Sequence, residues 1–496
     1  MRLLPGDLRV SVVNDLPENP DGRFVLYWMV AARRLRDNPA LDRAVRYSRQ
    51  LQRPLVVFEP LRVDYPWASD RLHRFVLEGM ADNAAAFRGT PIHYYPYVEP
   101  TPRAAQGLLA TLAGRAAVVI TDRSPMFFLP RMLSAAAGVV PGRLEAVDGN
   151  GVLPIEAADH AFPTAYAFRR FLQRSLPGIT GDLREPPQED LADLPALPEA
   201  DRAWLGTVQQ RWPAWNPAVS PRETCETLPI DHTVGAGTEP GGEAAAQRRL
   251  TQFLASGLHD YTTSRRHPDL DGGSHLSPYL HFGHISARDV CRRVLAHAGW
   301  SGRLPETAAG HREGWWGVEA NVEAFLDELI TWRELACNGA AHLPAYERYA
   351  SLPAWARATL AKHADDPRAH TYDLEALDAA STHDPLWNAA QRQLVTEGRL
   401  HNVLRMLWGK KILKWSASPE QALEVMVHLN NRYAVDGRDP NSTAGIFWVL
   451  GRYDRAWGPE RPVFGTVRYM TSANTARKVR VKQYLQRYGA DAPLFV

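Results

Sequence analysis

Three cysteines in 496 residues leave little room for sulfur chemistry. Cys225, Cys291 and Cys337 lie far apart and form no CxxC arrangement, which argues against disulfide staples, a zinc ribbon or a four-cysteine iron–sulfur cluster. Long apolar runs are missing as well. The opening stretch MRLLPGDLRVSVVNDLPENPDGR sets charges and prolines where a secretory or spanning segment needs an unbroken hydrophobic core, and no later segment approaches the ~18 apolar residues of a spanning helix. These absences predict a cytoplasmic protein with neither membrane nor metal among its partners. The glycine-rich phosphate cradle GxGxxG is absent too, because the first strand-to-helix turn reads AARRLRDNPAL; NAD held in the usual way is not expected there. Redox chemistry therefore falls to an organic cofactor or to aromatic side chains. A net charge of +2 does not by itself announce a nucleic-acid binder.

What is present is a hydrophobic content of 45%, enough for two or three units with cores of their own. Residues 1–175 alternate β-rich apolar runs (FVLYWMV, PLVVFEPL, IHYYPYV, AAVVITD, RLEAVDG) with helix-like segments, the pattern of a doubly wound parallel α/β sheet. Residues 176–245 shift to proline, acid and glycine and read as a linker, with a short helix near AWLGTVQQRW. From 246 to 496 nearly every segment has helical period, so an all-α domain is expected.

Charge is unevenly spread. Between Arg452 and Arg487 lie Arg455, Arg461, Arg468, Arg477, Lys478, Arg480 and Lys482 against only Asp454 and Glu460, a surface that could neutralise phosphates or simply be solvated. Four further clusters stand out in the helical half. In DYTTSRRHPDLDGGSHLSPYLHFGHIS, Ser274 and Ser277 precede a helix-like run, where hydroxyls serve equally as caps or phosphate ligands. In FLDELITWREL, Glu328 and Trp332 share one side of a helix; they suit a nucleobase, or a half-buried indole beside a solvated carboxylate. Trp387, Trp408 and Trp415 crowd the stretch from 382 to 415, the last two about 10 Å apart along one helix face, a spacing that fits packing and electron hopping alike. LNNRYAVDGRDPNSTAGIFWVLGRYDRAWG is dense in polar groups that need partners if buried.

The order and spacing of LSPYLHFG, ELITWREL, THDPLWNAAQ, RMLWGKKILKW, LNNRYAVDGRDPN, DRAWG and RYM resemble the class II cyclobutane pyrimidine dimer photolyases, from about Tyr261 to Arg487. VLYWM, the DNPAL turn and VVFEP extend the resemblance to the N-terminal half. It implies an α/β antenna domain joined to a helical domain that holds FAD, active in its reduced anionic form, beneath a DNA-facing cavity. The partner implied is DNA containing cyclobutane pyrimidine dimers, split by an electron from the flavin; with it goes the expectation of a monomer, nucleoid-associated if bacterial. An antenna pigment is implied too, a deazaflavin before a folate. Position by position, the resemblance assigns Tyr261, Ser274, Leu276, Ser277 and Asp439 to FAD, Arg405 and Asp436 to a pair beside the flavin ring, and Asn430 to its N5. Glu328 would bond the dimer, and Trp332, Met406 and Trp448 would shape its pocket. Trp387, Trp408 and Trp415 would carry electrons from the surface, with Tyr372 near the outer end, while Arg455 and Arg468 would meet DNA. The sequence departs from the family at His401-Asn402, where His-Gly is usual, and at Ser442-Thr443, where Gly-Tyr is usual. The alternative from another class is a cryptochrome-like blue-light receptor of the same fold without repair activity.

Overall fold

Runs such as FVLYW and LVVF have no polar face, which a strand tolerates only where both sides of its sheet are covered. That is where they lie in the structure, a computed structural model that describes residues 7–178, 189–305 and 307–490. The strands are β1 (Val10–Asn14), β2 (Phe24–Trp28), β3 (Leu55–Leu61), β4 (His93–Val98), β5 (Ala116–Arg123) and β6 (Leu144–Asp148), in the order β1-β6-β5-β2-β3-β4. The five expected strands are mutually parallel. The sheet is nevertheless mixed, because β1, which the sequence pattern did not reveal, runs antiparallel on the β6 edge.

Several helices begin where a short polar side chain precedes proline. Asn38 accepts from the amides of Ala40 and Leu41, each at 3.1 Å, ahead of helix Pro39–Leu51. Asp384, Ser418 and Asp439 cap the helices beginning at Pro385, Pro419 and Pro440 in the same way. Each side chain satisfies an amide that the first turn leaves free, and proline at the first position has no amide to satisfy. The DNPAL, THDPLW and GRDPN motifs are thus helix starts, whatever else they do.

One face of the sheet packs against Leu197, Leu205, Val208 and Trp212, contributed by and around helix Glu199–Arg211. The other packs against Leu41 and Val45 of helix Pro39–Leu51, with Leu194. Residues 179–188 of the expected linker lie outside the described residues. Among the described residues no strand follows β6, and no helix is long and apolar enough to cross a membrane.

The chain runs from β2 outward to β3 and β4, then returns to the other side of β2 as β5. That reversal opens a crevice at the carboxyl ends of β2 and β5, where folds of this type take ligands. Here Asp122 fills the phosphate position itself: its Oδ2 accepts from the amides of Val30, Ala31 and Ala32 at 2.8, 2.7 and 3.0 Å, and its Oδ1 from the Tyr27 hydroxyl at 2.7 Å. A glycine-free turn is physically consistent with this, since no pyrophosphate has to approach.

The helical part is latched to the sheet by backbone contacts. Arg34 donates to the Gly283 carbonyl at 2.9 Å, and Glu334 accepts from the amides of Val152 and Leu153 at 2.6 and 3.1 Å. Gly283 is required at this seam: its φ is +72°, and a Cβ there would come within 1.8 Å of the Ala31 carbonyl oxygen. Beside the seam lies a cavity of about 150 Å³, walled by Met126, Phe127 and Phe128 from the sheet side and by Arg333, Cys337 and Arg438 from the helical side.

Candidate functional site

Helix Pro419–Tyr433 delivers Asn430 on its last turn, and the chain then doubles back through Gly437 into helix Pro440–Val449. The turn is tight enough to need glycine, because a Cβ on Gly437 would sit 2.6 Å from the Asn430 carbonyl oxygen. The Asn430 side chain is buried, and its Nδ2 donates to the Gly437 carbonyl at 2.9 Å. A carbonyl can only accept, so this bond fixes which end of the amide is nitrogen and leaves Oδ1 as the acceptor, met in the protein only by a long 3.4 Å bond from the Ser442 hydroxyl. Ser442, one of the departures, is knitted into the same knot: its Oγ lies 3.1 Å from Asn430 Nδ2 and 3.4 Å from Arg405 Nη1. Arg405 stands 3.8 Å from Asp436. The structure thus brings Asn430, Arg405 and Asp436 together. Asp439 caps its own helix through Asn441 at 2.8 Å and faces His281 and the seam cavity.

The first helical cluster forms a second wall. Tyr261 and Leu276 are buried, Ser274 is half-buried and Ser277 is exposed at the start of a short helix. Around them Arg399 grips Asp271 through two bonds of 2.8 and 2.7 Å and reaches His275 Nδ1 at 3.2 Å. Burial pushes His401 down to about 4 against the pull of Asp271, with Arg399, His275 and His267 adding to the shift, so the ring is neutral at pH 7. Among the described residues Arg405 Nε, Arg399 Nε, His401 Nδ1 and Trp448 Nε1 are buried without a hydrogen-bond partner. Buried polar atoms in native proteins are rarely left so.

Glu328 and Trp332 sit in a π-helical turn, Asp327–Trp332, a local widening found frequently at functional sites. Asp327 anchors it by two bonds to Arg169 at 2.8 and 3.1 Å. Within the turn Glu328 and Trp332 are half-buried while the residues between them are buried, so both point outward. Glu328 pairs with Arg265 at 2.7 Å, and the Arg265 guanidinium lies 5.0 Å over the Tyr261 ring. Burial first and the Glu328 charge second push Tyr261 up to about 12. Sequence reasoning missed Arg265; the Arg265-Arg266 pair was visible, but nothing in its spacing pointed to Glu328. Trp332 and Trp448 stack at 4.8 Å and 16°, with Met406 half-buried on helix Asn402–Trp415.

Three rings of the aromatic region form a continuous run. Trp387 stands edge-on to Trp415 at 5.4 Å, and Trp415 edge-on to Tyr372 at 5.2 Å. The Trp408 indole donates to Gln391 Oε1 at 2.8 Å. Trp387, Trp408 and Trp415 are fully enclosed, whereas Tyr372 is partly exposed.

On the surface, the Arg455 and Arg468 guanidinium groups lie 4.6 and 5.3 Å from the Trp457 ring centre, and that indole is 36% exposed. Arg461, Arg477, Lys478, Arg480 and Lys482 are exposed too. Arg452 is a correction to the basic surface: it is 2% exposed, stacks 3.8 Å over Phe447 and donates to the Tyr346 carbonyl at 2.7 Å, so it serves the core.

No family model matches the chain. A deoxyribodipyrimidine photo-lyase from Methanothermobacter thermautotrophicus is 35% identical over 478 residues, 95% of this chain and 96% of the relative. Proteins of the same name from Arabidopsis thaliana and Potorous tridactylus are 32% and 31% identical, over 93% and 92% of this chain and 88% and 80% of theirs. A bacterial class III photolyase from Agrobacterium tumefaciens shares the fold with a TM-score of 0.65 at 16% identity, covering 94% of this chain and 86% of its own. A Synechocystis cryptochrome does so with a TM-score of 0.64 at 16% identity, covering 94% and 88%. Full-length identity at this level, on a six-stranded sheet joined to a helical half, places the chain in the deoxyribodipyrimidine photo-lyase family.

Proposed function

We propose that this chain is a class II enzyme that repairs cyclobutane pyrimidine dimers in DNA under light, with FAD as its cofactor. When bound, FAD would supply light absorption and a single electron for the lesion. The residues fit such a group. Arg405 Nε, His401 Nδ1 and Arg399 Nε are buried without partners, and a polar ligand with phosphate and ring heteroatoms would satisfy them. Tyr261, Ser274, Leu276 and Ser277 would hold its phosphate and ribitol side. Arg405 and Asp436 would flank the ring.

The observation that carries this reading is the fixed amide of Asn430. Its nitrogen is committed to Gly437, so its carbonyl is the group offered to a cofactor N–H, without the charge that aspartate would add. Glu328 would bond the dimer, oriented by Arg265. Trp332, Met406 and Trp448 would enclose the extruded bases, whose unstacking costs least at a damaged pair. Trp408, Trp387, Trp415 and Tyr372 would relay electrons inward from the surface. The seam cavity, with its aromatic wall of Phe127 and Phe128, suits a flat antenna pigment, a deazaflavin before a folate.

Purified, reduced protein should restore a thymine-dimer oligonucleotide in light and leave it unchanged in the dark, and denaturation should release free flavin. Flavin release without any light-dependent restoration would favour a receptor of the same fold.

A further inference from the structure

The run of rings from Trp387 to Tyr372 does not end on a lone phenol. Tyr372 Oη lies 2.6 Å from His383 Nδ1 and accepts the His383 backbone amide at 3.0 Å. The His383 ring also packs edge-on to Trp415 at 5.4 Å and stacks on His370 at 4.0 Å. A phenol has one proton to give, and the imidazole nitrogen is the acceptor placed to receive it.

We propose that Tyr372 and His383 form a proton-coupled terminus: when Trp415 is oxidised, Tyr372 gives it an electron while His383 Nδ1 takes the phenolic proton. This rests on the electron-relay reading above, with light-excited oxidised flavin as the initial oxidant. The step balances. The Trp415 radical cation becomes neutral tryptophan, Tyr372–OH becomes a neutral tyrosyl radical, and neutral His383 becomes imidazolium, with one positive charge before and after. The O–H bond breaks and an N–H bond forms.

The consequence is a trapped hole. A phenol oxidised without losing its proton is a very strong acid, so transfer from Tyr372 is uphill unless a base is in contact. With His383 in contact the hole leaves the enclosed indoles as a neutral radical, and the proton sits on an exposed ring that water can relieve. The groups facing His383 set its readiness. Partial burial and His370 push its pKa below the ordinary value; neighbouring Asp384 opposes this, and Lys411 and Lys414 of helix Asn402–Trp415 add to it. At neutral pH the ring is then unprotonated and able to accept. As pH falls through its pKa, Nδ1 is already occupied and the step is lost.

The test is flash spectroscopy of the tyrosyl radical in the full-length protein, driven in one arm by its flavin and in the other by a soluble ruthenium photo-oxidant acting on flavin-free protein. Wild type should give a tyrosyl signal that Tyr372→Phe removes. His383→Gln, at an exposed position, should slow its formation roughly a hundredfold, the usual range for loss of a positioned base. The wild-type signal should also decline in acid and form more slowly in D2O. An unchanged rate in His383→Gln, or an undiminished signal in Tyr372→Phe, would overturn the proposal. If the ruthenium arm shows the His383 effect while the flavin arm yields no tryptophan radical, the relay reading fails and the Tyr372–His383 terminus stands.

Discussion

Trp387 donates its indole N–H to the backbone carbonyl oxygen of Trp408 at 3.0 Å. That bond joins helix Pro385–Glu397 to helix Asn402–Trp415 at the point where their rings form the aromatic run. Packing and the proposed conduction therefore meet at one residue, and they can be separated experimentally.

Trp387→Phe should slow photoreduction of oxidised enzyme while leaving repair by chemically pre-reduced enzyme intact. Stability should fall by about 1–3 kcal/mol, because a fully buried indole is cut back to a smaller ring and its N–H bond is lost. If photoreduction and repair fall together in a folded variant, the ring has no separate part in electron transfer.

Trp332→Ala should weaken binding of dimer-containing duplex and leave undamaged duplex nearly untouched. Loss of one base-stacking platform is worth on the order of 1–3 kcal/mol, or roughly five- to a hundredfold in affinity. The stack on Trp448 is lost as well, at a cost to stability of about 1 kcal/mol. Paired titrations on damaged and undamaged duplex decide the matter, and equal weakening on both would remove Trp332 from the lesion pocket.

Arg455→Ala and Arg468→Ala should lower affinity for any duplex and flatten its salt dependence, by about 0.9 in slope for each phosphate contact removed. Arg452→Ala offers the contrast. Because its guanidinium is stacked on Phe447 in the core, it should lower the melting temperature and leave the salt slope unchanged.

Lys410 is fully enclosed, with its ammonium bonded to the Val449 carbonyl at the end of helix Pro440–Val449. Burial pushes its pKa down to about 7, with Asp454 pulling it up and Arg468 adding to the fall. The folded chain thus holds this proton less tightly than the unfolded chain, so stability should rise as pH climbs from about 7 towards 10. Lys410→Met should flatten that rise, a difference on the order of a few kcal/mol. Chemical denaturation of both proteins across this range reads it directly, and parallel profiles would show that Lys410 stays charged.

The parallel strands were legible because burial on both faces leaves no polar position in FVLYW or LVVF. β1 escaped because VSVVN is only half-buried on an edge, so its alternation is weak. Trp332 and Glu328 were legible as a pair, since their spacing survives the π-turn. Arg265 and His383 were not. Each meets its partner through a fold-dependent contact, across 63 residues for Arg265–Glu328 and across the short helix Leu374–Asp378 for Tyr372–His383, and no local period announces either. Arg452 shows the opposite failure: counted in a basic run, it is spent on packing because its neighbours Phe447 and Tyr346 offer aromatic faces.

Asp122 is a tethered competitor. Held to the amides of Val30, Ala31 and Ala32 by its own strand, it meets them at an effective concentration that free anions do not match. Nucleotides diffusing through the surroundings should therefore compete poorly for a crevice whose strand order otherwise invites them. Freed from phosphate recognition, the adjoining space sets the rings of Phe127 and Phe128 against the side chains of Arg333 and Arg438, and Asp122→Ala should make it answer to pyrophosphate for the first time.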